Sequence, residues 1–229
     1  MKKITYKYKF EDGREKIFEF EWDKDNLELK GVKPANLPHW TLLNYHQCPN
    51  CPSSVHEDTH CPMAVSLVNL VKYFDGMKSF EKVYLEVTLD KKIISQNTSV
   101  QKAVGSMMGL VSAVSGCPLT AYFKPMAFFH LPFSNRDSTI YRATSMYLLA
   151  QYFRHKKTGE FDFELKGLKQ IYKDVGIMNS SIADRLRDAS RTDSTVNAII
   201  GLDIYAKTVP IYIEKLLKSL EDLFEAYTK

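Results

Sequence analysis

The chain has 229 residues, 45% of them hydrophobic and 25% charged, the ordinary balance of a protein with a packed core. That excludes intrinsic disorder, collagen-like repeats and a disulfide-dense miniprotein, and the length suits one large domain or two small ones. The 31 basic side chains against 27 acidic ones leave +4, too weak and too evenly spread to point to nucleic acid or an anionic membrane.

The N-terminus reads as a β-hairpin. Ile4, Tyr6, Tyr8 and Phe10 alternate with polar residues, Asp12-Gly13 supplies a turn, and Phe18, Phe20 and Trp22 alternate again. Leu27 and Leu29 are expected to add a third short strand. Residues 30–60 then lose all periodicity and carry Pro34, Pro38, Pro49 and Pro52. So long a stretch without regular structure is usually functional or pinned by something. Helical spacing begins at Cys61-Pro62, with Met63, Leu67, Val68, Val71 and Phe74 on one face and Gly76 as the stop. A second hairpin follows: Val83, Leu85, Val87 and Leu89, a turn at Asp90-Lys91, and a return strand with Ile93-Ile94.

From Ser99 the chain reads as helical almost to its end. Ser99 caps a helix that stops at Gly116, just before Cys117-Pro118. The aromatic connector Tyr122 to Phe133 comes next, readable as an apolar lid or as a packed loop. Asp137, Asp162 and Asp193 are each expected to open a helix, the second ending near Ala189 and the third kinked or broken by Pro210. The fold expected is α+β in a single domain of residues 1–229. A small antiparallel sheet from two β-hairpins packs on a predominantly helical bundle, with a Cys-rich loop. Residues 1–98 hold the hairpins, loop and first helix; residues 99–229 hold the helical part.

All four cysteines, Cys48, Cys51, Cys61 and Cys117, are followed by proline. Cys48-x2-Cys51 lets one turn of backbone aim two sulfurs at a single ion. Cys61 stands at a helix N-terminus, where dipole and free amides favour a thiolate. Cys117 arrives from a distant helix end, so one centre on all four would clip the aperiodic loop to the bundle. Three near cysteines and a remote Cys-Pro resemble iron–sulfur ligation more than paired zinc knuckles, although the nine-residue gap matches no standard ferredoxin run. A [4Fe-4S] cluster therefore ranks ahead of Zn2+ as the cofactor, and buried thiols filling space are the plain alternative. His46, His60 and His130 are candidate donors to the sulfurs.

His56-Glu57-Asp58-Thr59-His60 matches H-E-x-x-H, which on a helix binds zinc with the glutamate as general base. Pro62 and the charged Asp58 make a continuous helix improbable, and a zinc hydrolase ranks third. Glu57-x-x-His60 has no second copy, so a carboxylate-bridged di-iron site fails. No G-x-G-x-x-G, Walker loop or G-x-S-x-G is present, and Tyr45-His46-Gln47 beside Cys48 lacks an oxyanion hole; no catalytic residue is assigned. Arg185, Arg187 and Arg191 alternate with Asp184 and Asp188 and read as a solvated face. Arg142 lies among apolar helical positions and reads first as a surface arginine whose stem covers apolar neighbours; if partly buried, it needs an acidic partner or an anion.

The runs Tyr45-His-Gln-Cys-Pro-Asn-Cys-Pro52, His60-Cys-Pro-Met-Ala-Val65, Ser115-Gly-Cys-Pro118, His130-Leu-Pro-Phe133 and Tyr141-Arg-Ala-Thr-Ser-Met-Tyr-Leu-Leu-Ala-Gln-Tyr-Phe153 resemble an uncharacterised bacterial domain family. The resemblance implies one bacterial unit holding all four Cys-Pro pairs, and no activity. Met1-Lys2-Lys3 is followed by alternating residues rather than an apolar leader, and Val104 to Leu119 is too short and too rich in Gly and Ser to span a bilayer. The expectation is a cytoplasmic metal-binding protein with no nucleic-acid or membrane partner. Its centre would serve electron transfer, redox sensing or structure, with a zinc-stabilised interaction module as the alternative; a redox or protein partner and the oligomeric state are left open.

Overall fold

The structure is a computed structural model describing residues 3–23, 29–30 and 34–229. Both hairpins form. Strands β1 (Lys3–Phe10) and β2 (Glu15–Trp22) pair antiparallel around a turn in which Gly13 takes φ +86°, and β3 is the short segment Leu29–Lys30. The expected contribution of Leu27 lies outside the described residues. Strands β4 (Lys82–Leu89) and β5 (Lys92–Ser99) close the sheet in the order β3-β2-β1-β4-β5.

Period-two alternation decides which face is inside. Tyr6 pairs with Val87, Tyr8 with Leu85 and Phe10 with Val83, and all six side chains are buried on the helix-covered face. Helix α2 (Val100–Ala113) lies against them. Its carbonyls at Ser106 and Ala103 accept the Tyr6 and Tyr8 hydroxyls, each at 3.2 Å, so two large polar tips are buried with partners. The return strand β5 is a largely exposed edge, with Ile93 facing solvent rather than the core.

Helix α1 (Pro62–Phe74) begins with proline in its first turn, as expected, and Gly76 follows its end at φ +93°. The aromatic connector is partly helical: a 3-10 turn over Ala121–Phe123 leads into α3 (Lys124–Phe128). Phe123 packs edge-on to Tyr172, and Phe128 edge-on to Trp22. Helix α4 (Arg136–Thr158) is capped by Asn135, whose side chain accepts the Ser138 amide at 2.9 Å, two residues earlier than the expected Asp137. Helix α5 (Lys166–Ala189) starts four residues after Asp162. That carboxylate still serves the helix start, accepting the Gly167 amide and the Tyr147 hydroxyl, each at 2.8 Å. Tyr147 is held neutral, its pKa raised to about 12 by burial and by Asp162.

Helix α6 (Ser194–Leu220) runs through Pro210 unbroken, so of the expected kink or break the break does not occur. Neighbouring helices supply the reason: α6 packs along both α5 and α2, burying Ile199, Ala206, Val209 and Ile213, and those contacts outweigh the missing amide. A 3-10 turn (Glu221–Phe224) and α7 (Glu225–Thr228) continue it. By length and composition the helical run Ser194–Thr228 is long and apolar enough to cross a membrane, with a mean hydropathy of 1.2; the sequence reading did not single it out.

Asp193 ties α6 to the loop before β4. It accepts the Ser79 amide at 3.0 Å, the Ser79 hydroxyl at 2.9 Å and the Asn197 amide group at 2.9 Å, and these bonds, the Ser79 hydroxyl first, hold its pKa below the usual carboxylate range. Because the folded-state pKa is depressed, this stabilisation is present above an unfolded pKa of about 3.9 and fades as pH falls through the folded value. Asp193→Ala is expected to cost about 1 kcal/mol at neutral pH, discounted for solvent exposure, and nothing at pH well below both values. Urea denaturation at several pH values reads that difference.

Candidate metal centre

The aperiodic segment is pinned from two sides. Its first clip is backbone: the Cys61 amide donates to the Thr41 carbonyl at 2.8 Å, the Leu43 amide to Thr59 at 3.0 Å, and Leu42 pairs with His60 in an isolated bridge. Residues 44–58 therefore leave and return as a closed loop, with Cys61 at its base as the N-cap of α1.

The second clip is one stripe of α5. Asp174, Ser181, Arg185 and Asp188 are spaced by seven, four and three residues, which places them on a single helix face. Each holds a different part of the loop. Asn50 donates to the Asp174 carbonyl at 3.1 Å, and the Ser181 hydroxyl donates to the Cys48 sulfur. Arg185 donates through one terminal nitrogen to the Trp40 and Leu42 carbonyls, each at 2.7 Å, and through the other to Leu43 at 3.0 Å. Asp188 accepts the Tyr45 hydroxyl at 2.7 Å and the His46 ring at 2.9 Å.

The cysteines face this framework. All four are free thiols; Cys48, Cys61 and Cys117 are buried and Cys51 is half-buried. Cys117 comes from the turn after α2, where Gly116 adopts φ +88° and lies so close to Pro62 that a Cβ would stand 3.7 Å from its ring. The turn that carries Cys117 thus packs directly on the turn that carries Cys61. Cys48 has Cys61, Cys51 and Cys117 as electrostatic neighbours, and Cys117 has Cys61 and Cys51. The four thiols of the sequence-predicted set thus lie within electrostatic range of one another.

Two features support sulfur charge here and one opposes it. The backbone amides of Leu119 and Thr120, beyond Pro118, lie near the Cys117 sulfur and lower its pKa, although the Thr120 amide itself donates to the Cys117 carbonyl at 3.1 Å. Ser181 supplies a hydroxyl to Cys48. Burial works the other way, raising the Cys117 thiol and pushing Cys48 up to about 11. Among the described residues, no three His, Cys, Asp or Glu side chains are gathered as tightly as a single metal ion requires.

Arg185 is the residue that sequence reasoning misplaced. It is 1% exposed, and the neighbours that most oppose the burial of its charge are Cys61, Cys48 and Cys51. The carboxylates nearest in sequence are turned elsewhere, Asp184 to Arg187 and Asp188 to Tyr45 and His46. Alternation of Arg and Asp resembled a solvated face. The overriding signal is position: Arg185 falls on the stripe with Ser181 and Asp188 rather than on the outer face with Asp184.

Of the predicted histidines, His46 takes φ +44°, turning the chain so that Cys48 heads inward while its ring stays outside on Asp188. His60, next to Cys61, is bonded through Nδ1 to the Thr41 hydroxyl at 2.9 Å. His130 lies against Tyr6, 2.5 Å from its hydroxyl. His56 and Glu57 sit in a turn and His60 in the bridge, so the H-E-x-x-H residues share no helical face. Arg142 finds carbonyl partners, Phe129 at 2.7 Å and Met126 at 3.1 Å, and fixes the connector.

Gly116→Ala tests the turn that delivers Cys117. An L side chain at that positive φ is expected to cost about 1–2 kcal/mol even though its Cβ would meet Pro62 only at ordinary contact distance, read as a lower melting temperature.

No curated protein and no solved structure matches the chain. The family model described as a domain of unknown function, DUF6901, matches residues 4–225, nearly the whole length, and the chain belongs to that family.

Proposed function

We propose that this protein binds one thiolate-ligated metal centre on Cys48, Cys51, Cys61 and Cys117, a [4Fe-4S] cluster ahead of Zn2+. The observation that supports the reading is the burial of Cys48, Cys61 and Cys117, with Cys61, Cys48 and Cys51 in electrostatic range of the Arg185 guanidinium, itself buried and bonded to three backbone carbonyls. Three carbonyl acceptors satisfy the terminal nitrogens of that buried cation but do not neutralise its charge, and neutral thiols add nothing to them. Four thiolates around a [4Fe-4S]2+ core or a Zn2+ ion carry a net −2, and the pair then becomes attractive. Burial of three of the four sulfurs leaves no cleft for a substrate at the metal, so the centre would exchange electrons through its Cys51 edge, or hold the loop, rather than catalyse.

Spacing favours the cluster. Tetrahedral zinc with bonds of about 2.3 Å needs sulfurs within about 4 Å of one another. Among the described residues no three such side chains are gathered tightly enough to hold a metal ion, so either centre requires the loop to close further, and the preference for the cluster rests on the three-plus-one cysteine spacing of the sequence. Zinc keeps one specific support, the amide pair on Cys117, which suits any metal thiolate. Anaerobic purification with metal and sulfide analysis tests the reading. A brown protein with a broad absorption near about 400 nm that dithionite bleaches is expected. A colourless protein with one tightly held zinc replaces the cluster by a structural module, and a metal-free protein that folds normally refutes both.

A further inference from the structure

Cys48 and Cys51 share one turn, and its backbone is closed by a hydrogen bond. The Cys51 amide donates to the Cys48 carbonyl at 2.9 Å, which makes Cys48-Pro49-Asn50-Cys51 a β-turn with proline at its second position. A turn of this kind holds its two end Cα atoms within about 7 Å, and a disulfide spans about 4.4–6.8 Å between Cα atoms. The turn is also braced from outside. Gln47 Nε2 donates across its base to the Ser53 carbonyl at 3.1 Å, and Asn50 Nδ2 donates to the Asp174 carbonyl of α5 at 3.1 Å. Cys61 and Cys117 belong to other elements: Cys61 caps α1, and the Cys117 amide is bonded to the Ser115 hydroxyl at 3.2 Å after α2. Access to the two sulfurs of the turn is unequal. Both are free thiols, but Cys48 is buried, whereas Cys51 is half-buried between the exposed Pro49 and Pro52.

We propose that Cys48 and Cys51 form a thiol–disulfide exchange couple in the metal-free protein, with a small disulfide of the glutathione type as its substrate class. Cys51, the sulfur within reach of solvent, attacks one sulfur of the incoming disulfide, forms a mixed disulfide and releases the first thiol. Cys48, held one turn away, then attacks the Cys51 sulfur, breaks the mixed disulfide and releases the second thiol, which takes the Cys48 proton. The balance is two protein thiols oxidised to one disulfide and one external disulfide reduced to two thiols. Because the turn already holds the two backbones at bonding range, the second attack is intramolecular and needs no rearrangement of the loop. The inference stands on the turn and not on the metal reading. Where the same two sulfurs ligate metal, as proposed above, the bond and the centre exclude each other.

The test uses the full chain, freed of metal with a chelator, reduced, and then exposed to glutathione disulfide. After quenching with an alkylating reagent, the protein is cut with trypsin and with a protease that cleaves after Glu57, which separates Cys61 from Cys48 and Cys51 for mass spectrometry. In the wild type the fragment holding Cys48 and Cys51 is expected to lose two hydrogens and to carry neither glutathione nor alkyl groups. Cys48→Ser removes the second sulfur and is expected to leave at least about tenfold more glutathione on Cys51, since exchange then stops at the mixed disulfide. Cys51→Ser leaves only the buried sulfur in the turn, and its fragment is expected to react at least about tenfold more slowly. The wild-type result needs no variant to fold. A wild type whose fragment stays reduced, whose Cys51 keeps its glutathione, or whose bond forms to Cys61 or Cys117 instead overturns the inference and leaves the metal reading standing. Purified protein without metal refutes that reading, and the exchange couple, read on the metal-free chain, stands or falls on its own result.

Discussion

Arg185→Ala is expected to be the most destabilising single substitution in the loop–helix interface, at about 3–5 kcal/mol in the metal-free protein. The magnitude follows from what the guanidinium holds. Truncation leaves the Trp40, Leu42 and Leu43 carbonyls without their donors, two of them part-buried and that of Leu43 buried, and a buried orphan costs about 1–3 kcal/mol. It also opens a void where a fully buried side chain stood and releases the strip that positions Cys61. Removing the buried cation returns part of its desolvation cost, which keeps the total below the sum of three orphans. Arg187→Ala, two residues away on the exposed face and paired only with Asp184, is expected to stay within about 0.5 kcal/mol of wild type. Urea denaturation of both variants makes the comparison. Equal midpoints for the two would mean that the buried fork does not anchor the loop.

Cys117→Ser is expected to lose the bound centre while sparing the apoprotein. The side chain it replaces is small, and the turn around it is fixed independently: Thr120 donates to the Cys117 and Ser112 carbonyls through its hydroxyl and to Cys117 through its amide. The metal-free stability should therefore change by no more than about 1 kcal/mol. Metal retained after desalting should fall at least about tenfold, because a hydroxyl is a poor ligand where a thiolate is required. The stability that wild type gains on loading disappears with it, since a ligand that binds only the folded state stabilises in proportion to its occupancy. Limited proteolysis between residues 44 and 58 gives an independent readout: cleavage that is slow in the loaded wild type should proceed in the variant as in metal-free protein. If the variant keeps its metal, Cys117 is not part of the centre.

Much of the fold was legible because it rests on local rules. The alternation Ile4-Tyr6-Tyr8-Phe10, the Asp12-Gly13 turn and the Pro62 start of α1 each specify one outcome without help from distant residues. The absence of a break at Pro210 was not legible, because it depends on neighbours holding the helix together, and α2 and α5 do. The exposure of Ile93 was equally out of reach, since alternation cannot tell an edge strand from a covered one.

For the site, the cysteine spacing identified the sulfurs, and the Gly116–Pro62 contact shows how Cys117, far along the chain, comes beside Cys61. The framework that holds them was not legible. Arg185 and Asp188 read as surface residues because their partners lie some 140 residues earlier in the chain, at separations of 142 to 145. A helical projection of α5 would have set Asp174, Ser181, Arg185 and Asp188 in one row, but not revealed what the row faces.

X-ray absorption at the metal edge of anaerobically purified protein addresses the central claim, that Cys48, Cys51, Cys61 and Cys117 surround one centre. The account predicts an iron edge with a first shell made only of sulfur and iron neighbours beyond it, with about four irons per chain. A first shell containing nitrogen or oxygen, or protein that carries no metal and yet keeps its fold, would contradict it.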